Sequence, residues 1–345
     1  MNNSTYINAS EHSTCQDSVS IFFTSAMSVI SLAAFMGNIL VIVTVYKTPR
    51  LRTSTNYYYV NMAVSDFLAS LTTWPLYVIE EMVARTGSLV QNPLTTIGCK
   101  VGSYFRMLSL TVSVLSLLLI AIDRFMATVF PLKATLIRTR VKTTLLFATW
   151  LISITQCILV FHSSRLEEVG PKIFFCTVGW DSLALMSFFM ASVVMFNFTP
   201  LIVIVITYSC IMYTLKRRQQ PQINETSFSQ RKKTQNVMKI FKSIVVAYFV
   251  CICLFGSYLI LLTTLRELLT IDKCRIIRGF FHFVLPSLST AINPVILFSF
   301  STNFRNALVN LCHSLLERCR SCCHIHVTMN RGNVSLPELV EYRQT

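Results

Sequence analysis

The sequence predicts an all-α membrane protein built around a bundle of seven membrane-spanning helices. Three observations lead there. The 345 residues are 53% hydrophobic and only 13% charged, whereas charge makes up about a quarter of an ordinary soluble domain. Seven apolar runs approach or exceed the length of helix, about 20 residues, that crosses a hydrocarbon layer. The Lys and Arg residues gather in alternate loops between those runs, the asymmetry that sets orientation in a membrane.

The runs are Ile21–Tyr46, Tyr57–Val83, Cys99–Val129, Thr143–Phe161, Leu183–Leu215, Met238–Leu265 and Ile277–Phe300. The first loop carries Lys47, Arg50 and Arg52, the third Lys133, Arg138, Arg140 and Lys142, and the fifth a basic stretch from Lys216 to Lys242. The opposite loops are poorer in bases, and the second has only Arg85. The richer side should face the cytosol, which gives a multi-pass membrane protein with its N-terminus outside. Residues 1–20 read as an extracellular tail. They are polar and lack Lys and Arg, unlike a cleaved signal peptide with its basic start and apolar core, so the first run should serve as an uncleaved signal-anchor. Asn2, Asn3 and Asn8 head Asn-x-Ser/Thr triplets in that tail and are expected to be glycosylated. Asn224 and Asn333 fit the triplet too, but on the cytosolic side, where they should stay bare.

The formal charge of +15 does not indicate nucleic acid, because the bases lie in loops between apolar runs. No basic stripe interleaved with aromatics, zinc-ligand spacing or Gly-rich phosphate loop is present, and neither an enzyme nor a cofactor is expected. The absence of an internal repeat argues against a transporter.

Two places carry ionisable groups at membrane depth. Ser113 to Pro131 is a long apolar helix that runs into Asp123-Arg124. Such a pair is either interfacial, with Arg124 reaching to the headgroups, or functional. Asp66 is the one carboxylate well inside a run, and the polar mid-helix residues available to it are Asn38, Ser113, Ser289 and Asn293. A buried acid must be paired or neutralised. Either these oxygens hold a cation or a protonated Asp66 sits in a structural hydrogen-bond knot.

In order and spacing, Asn38, Asp66, Cys99, Asp123-Arg124, Trp150, Cys176, Pro200, Tyr208 and Asn293-Pro294 resemble the rhodopsin-like G-protein-coupled receptors, most of all the neuropeptide-type receptors, and the resemblance spans all seven runs. It implies that Asp123, Arg124 and Tyr208 meet a heterotrimeric G protein. It implies a sodium ion among Asn38, Asp66, Ser113, Ser289 and Asn293, and a disulfide between Cys99 and Cys176. It places a short amphipathic eighth helix over 301–312, with Phe304-Arg305, after a bundle spanning 21–300. Cys15 and Cys274, the other outside cysteines, read as a second bridge or as two free thiols. Cys312, Cys319, Cys322 and Cys323 lie in or beside the cytosolic tail, 313–345, and read as palmitoylation sites; His324 and His326 do not complete a zinc-finger spacing with them. The chain departs from the family at helix six, where Tyr248 to Ser257 holds neither the usual Trp nor Pro. It departs again at Leu297, where a Tyr is expected, and near Gln235, which has no neighbouring acid.

Arg106 follows Cys99 by two helical turns. It stands where amine receptors of the family hold an Asp, which argues against an amine ligand, and Ser287 stands where opsins hold their lysine. Glu80, with Glu81 beside it, and Tyr104, Arg106, Met107 and His282 are the expected ligand-binding residues, suited to a peptide or another polar ligand. Alternatively Arg106 pairs with Glu80 and closes the cavity. The function expected is transduction of an extracellular ligand, a peptide, to a heterotrimeric G protein, with membrane lipid as the other partner and no nucleic acid. The rival readings are a non-signalling decoy of the same fold and a transporter or channel.

Overall fold

Residues 4–36 contain neither glycine nor proline, so no residue interrupts a helix there. α1 accordingly runs Ser4–Lys47, and most of the tail expected over 1–20 is helical. The computed structural model describes residues 4–86, 93–134, 138–170, 173–217, 238–240, 242–251, 253–254 and 279–330. A single 3₁₀ turn, Pro49–Leu51, leads into α2, Ser54–Thr86. α3 is Pro93–Val129, α4 the short Pro131–Ala134, and α5 Thr139–Ser163. The chain then forms an antiparallel hairpin of β1, Ser164–Gly170, and β2, Ile173–Val178, with Leu166 opposite Cys176. The sequence reading did not foresee this hairpin.

α6, Leu183–Val193, opens on Ser182, whose hydroxyl accepts the Leu185 N–H at 3.2 Å, a common N-cap. It continues through a π-helical turn, Val194–Phe198, into α7, Thr199–Arg217. The wide turn has a physical cause. Pro200 brings no N–H and its ring would crowd the carbonyl four residues back; the Thr199 N–H instead reaches the Val194 carbonyl, a bond spanning five residues. Residues 242–251 are helical and form α8. Residues 238–240 and 253–254 of the sixth run are helical too, whereas 241, 252 and 255–265, with the loop 266–278, lie outside the described residues. A second π-helical turn, Gly279–Val284, precedes α9, Leu285–Phe300, and α10 is Thr302–Asn330. The helix expected over 301–312 is thus part of a 29-residue helix, since no glycine or proline occurs before Gly332 to end it.

Among the described residues, 21–47, α3, α5 and the continuous 183–217 are long and apolar enough to cross a membrane. α2 has the length, and polar residues such as Asn61, Ser65, Asp66, Ser70 and Thr73 lower its hydropathy. α3 is the central element: 67% of its most apolar stretch is buried, against 28% for each of the other three. Leu32, Phe147, Leu151, Ile158 and Ile202 lie exposed on the outward faces, the arrangement of helices that expect lipid rather than water around them.

The largest buried cluster joins Val41, Tyr58, Met62, Leu117, Ile120, Ile204, Tyr248, Leu297 and Phe304 at the Asp123 end of α3. A smaller one joins Met27, Leu76, Tyr77, Phe283 and the Cys99–Cys176 pair at the other end. Two glycines let helices approach closely. A Cβ on Gly37 would lie 2.6 Å from Pro294 Cγ of α9, and one on Gly102 would lie 2.5 Å from Leu76 Cδ2 of α2.

Candidate functional site

Cys99 and Cys176 are joined by a disulfide, with Cα atoms 5.5 Å apart. The bond fastens β2 to the start of α3, so the hairpin lies over one end of the helices. Beneath it is a cavity of about 310 Å³ with a mainly apolar wall. The hairpin contributes Cys176, Thr177 and Val178, α3 contributes Arg106, Met107 and Ser109, and α9 contributes Ser287, Ser289 and Thr290. A cavity of this size is at the lower end of what small-molecule sites use.

Arg106 is the charged residue among the described lining residues. Its guanidinium lies 5.4 Å from the centre of the Phe283 ring and donates to Ser103 Oγ at 3.4 Å. Phe283 in turn meets Tyr77 edge-on at 5.1 Å. The aromatic face attracts the cation. Met107 also lines the cavity, whereas Tyr104 packs edge-on to Phe105 and Phe161, towards α5. Glu80 and Glu81 lie on α2 and His282 in the second π-helical turn; their side chains are outside the described residues.

Ser109 belongs both to the cavity wall and to the site below it. Its hydroxyl donates to Asp66 Oδ1 at 2.6 Å, and Ser113 donates to the same oxygen at 3.1 Å. Asn293 Nδ2 donates to Asp66 Oδ2 at 2.7 Å and to the Tyr248 hydroxyl at 3.0 Å. Asp66 is fully buried, and the side-chain oxygen of Asn293 is buried without a hydrogen-bond partner among the described residues. Of the residues expected around Asp66, Ser113 and Asn293 touch it. Asn38 instead donates to the Ala34 and Thr290 carbonyls at 2.8 and 3.2 Å, tying α1 to α9, and the Ser289 hydroxyl is turned to the Pro286 carbonyl at 2.7 Å. Ser109 and Tyr248 were not foreseen. The signal for Ser109 was available, because it precedes Ser113 by one turn and so lies on the same helix face.

At the far end of α3, Asp123 accepts Lys142 Nζ from α5 at 2.8 Å and the Thr55 hydroxyl from α2 at 3.2 Å. Arg124 lies 3.8 Å from Asp123 and donates to Thr55 Oγ1, and its Nε has no partner among the described residues. Asp123 is therefore more tightly engaged with Lys142 than with its neighbour. Tyr208 is half-buried against the adjoining core. Gln235 is outside the described residues.

A fourth polar cluster braces the middle of the bundle. Asn61 donates to Ser116 at 2.9 Å and to Thr149 at 3.2 Å, and accepts the Trp150 indole N–H at 2.7 Å. One side chain thus links α2, α3 and α5. Of the other expected sites, Asn8 and Cys15 lie within α1, as Cys319, Cys322 and Cys323 do within α10, with side chains outside the described residues, as are Asn2, Asn3 and Cys274 altogether. Cys312 is a free, exposed thiol.

The chain is 28% identical to the RYamide receptor of Drosophila melanogaster over 85% of its own length and 64% of that receptor's. It is 29% identical to the allatostatin-A receptor of Bombyx mori over 84% of its length and 78% of that protein's. It is 25% identical to the human neuropeptide Y receptor type 2 over 81% and 73%. The profile of the 7 transmembrane receptor (rhodopsin family) matches residues 37–297, which run from the glycine facing Pro294 into the last turn of the Asn293-Pro294 helix. The chain belongs to that family of seven-transmembrane receptors.

Proposed function

We propose that the chain is a seven-helix receptor of the plasma membrane, N-terminus outside, that couples an extracellular peptide to a heterotrimeric G protein. The observation that carries this reading is the cavity beneath the disulfide-tethered hairpin, whose wall includes Ser109, a direct partner of Asp66. A ligand there acts on the Asp66–Asn293–Tyr248 chain, and through it on the packing of α3, α8 and α9. The mechanism is a population shift: the ligand favours the arrangement whose Arg124 end opens to the G protein. The names of the relatives, receptors for RYamide, allatostatin-A and neuropeptide Y, support a peptide.

The finer parts of the reading rest on the geometry around Asp66 and Arg106 and, for the rest, on the sequence. The oxygens of Asp66, Ser109, Ser113 and Asn293 suit a sodium ion, a hard cation with oxygen ligands, and Asn293 brings one oxygen not yet committed. The first part of α10 lies along the inner membrane surface as helix eight, with Cys312, Cys319, Cys322 and Cys323 acylated and the rest of the chain in the cytosol. Asn2, Asn3 and Asn8 carry glycans. Arg106 takes a carboxylate or carbonyl of the ligand, which its planar fork can grip with two hydrogen bonds.

The test is G-protein sensor output in cells lacking related receptors, during exposure to a panel of synthetic peptides that includes RYamide and allatostatin-A. A peptide that evokes a response only in cells with the receptor is the expected result. A peptide that binds at the surface while every sensor stays silent would support the decoy instead, and ion or solute flux without sensor output would support a transporter or channel.

A further inference from the structure

α3, α5 and the first π-helical turn meet at three neutral polar side chains that the Asp66 network does not use. Thr111 is 0%, Gln156 5% and Asn197 1% exposed. The Thr111 hydroxyl lies 3.3 Å from Gln156 Oε1 and 3.4 Å from Asn197 Oδ1. A hydroxyl carries one proton and can satisfy only one of them at a time. Gln156 Nε2 and Asn197 Nδ2 are both buried without a partner among the described residues. Turning either carboxamide about its own axis exchanges nitrogen for oxygen and leaves unpaired atoms in either case.

The contrast with Asn61 is instructive. Asn61 has a structural role and is satisfied by three partners on two other helices. Asn197 is held by one long contact at the edge of a cavity. It is the one carboxamide among the described lining residues, in a wall otherwise made there by Met107, Leu110, Val193 and Phe198. The π-helical turn that accommodates Pro200 is what sets its position. A buried amide nitrogen without a hydrogen-bond acceptor is unfavourable, and the Asn197 nitrogen has none among the described residues.

We propose that Asn197, backed by Thr111 and Gln156, is a specificity determinant that pairs with an uncharged amide of the ligand, a group that both donates and accepts and so fits either orientation of the Asn197 side chain. Arg106 then takes the charged or strongly accepting part of the same ligand, and Asn197 the neutral part. The inference rests on the reading of the cavity as the ligand site, but its test needs neither the natural ligand nor a G protein.

The experiment compares purified full-length wild-type receptor with Asn197→Leu, a close match in shape that removes the unpaired amide. Thermal midpoints are measured without ligand, with graded acetamide, and with graded choline acetate, whose acetate ion is the charged counterpart of acetamide, against choline chloride at the same concentrations. Removing a carboxamide whose nitrogen has no partner among the described residues should raise the midpoint of the empty variant by about 2 °C. Acetamide should raise the wild-type midpoint relative to that of Asn197→Leu, and choline acetate should move both alike. A variant with a lowered midpoint, or one that fails to fold, marks Asn197 as structural and overturns the proposal. So does an acetamide shift of equal size in both proteins. Failure of every peptide to activate the receptor would leave these midpoints unchanged, so the two readings fail separately.

Discussion

The Asn61 cluster offers a sharp test of the packing. Its three hydrogen bonds join α2 to α3 and α5 at 2.7–3.2 Å. Interhelical hydrogen bonds within membranes average about 0.6 kcal/mol, with a maximum of about 1.7 kcal/mol. Asn61→Leu should therefore cost about 2 kcal/mol. Trp150→Phe removes one of the three bonds, and its own cost mixes that bond with the smaller ring. A double-mutant cycle separates the two. Once Asn61 is leucine, the Trp150 N–H has already lost its acceptor, so the second substitution should cost less by about 0.6–1.7 kcal/mol. The assay is equilibrium unfolding of the four proteins in one mixed-micelle system. Strict additivity, or an Asn61→Leu variant as stable as wild type, would refute the assignment of Asn61 as the brace between these helices.

Three further outcomes follow from the same coordinates. Reducing the Cys99–Cys176 bond opens a loop with a sequence separation of 77, worth about 4 kcal/mol in the chain-entropy treatment; Cys176→Ala should cut surface expression or peptide binding, and unchanged levels of both would contradict this. Gly37→Val should lower the thermal midpoint markedly, because even the first added carbon meets the Pro294 ring at 2.6 Å, and a variant with wild-type stability would show that α1 and α9 do not pack this closely. Asp66→Asn should abolish any effect of sodium on agonist affinity, with sodium favouring the inactive state and opposing agonist in the wild type; equal agonist affinity in sodium and in a large organic cation would count against an ion at Asp66.

The sequence exposed what local chemistry makes unusual. Asp66 stood out as the single acid deep in an apolar run, and mid-helix polarity together with the family pattern led to Asn38, Ser113, Ser289 and Asn293, of which Ser113 and Asn293 touch it. Cys99 and Cys176 were paired by resemblance, and the bond is present. What could not be read were choices made by distant packing. Asn38 bonds the Thr290 carbonyl because α1 presses on α9 at Gly37, a contact between residues 252 apart in the chain. Lys142, rather than Arg124, is the closer partner of Asp123 because α5 docks beside α3. The hairpin 164–178 was missed because its pairing is irregular, with a bulge between Glu168 and Gly170. The helices at both termini outran their expected limits for lack of a glycine or proline to stop them, and polarity alone gives no such stop.

The claim at the centre of this account is that the ligand acts inside the cavity beneath the hairpin. The most direct measurement is the dose–response of a G-protein sensor to an activating peptide in wild-type, Arg106→Lys and Arg106→Ala receptors, each with cell-surface labelling. Lys keeps the charge and loses the two-pronged hydrogen bonding, so potency should fall in Arg106→Lys and fall further in Arg106→Ala while surface levels hold. Unchanged potency in the receptors that reach the surface, with Arg106→Ala lowering only their number, would contradict it and make Arg106 a structural residue packed on Phe283.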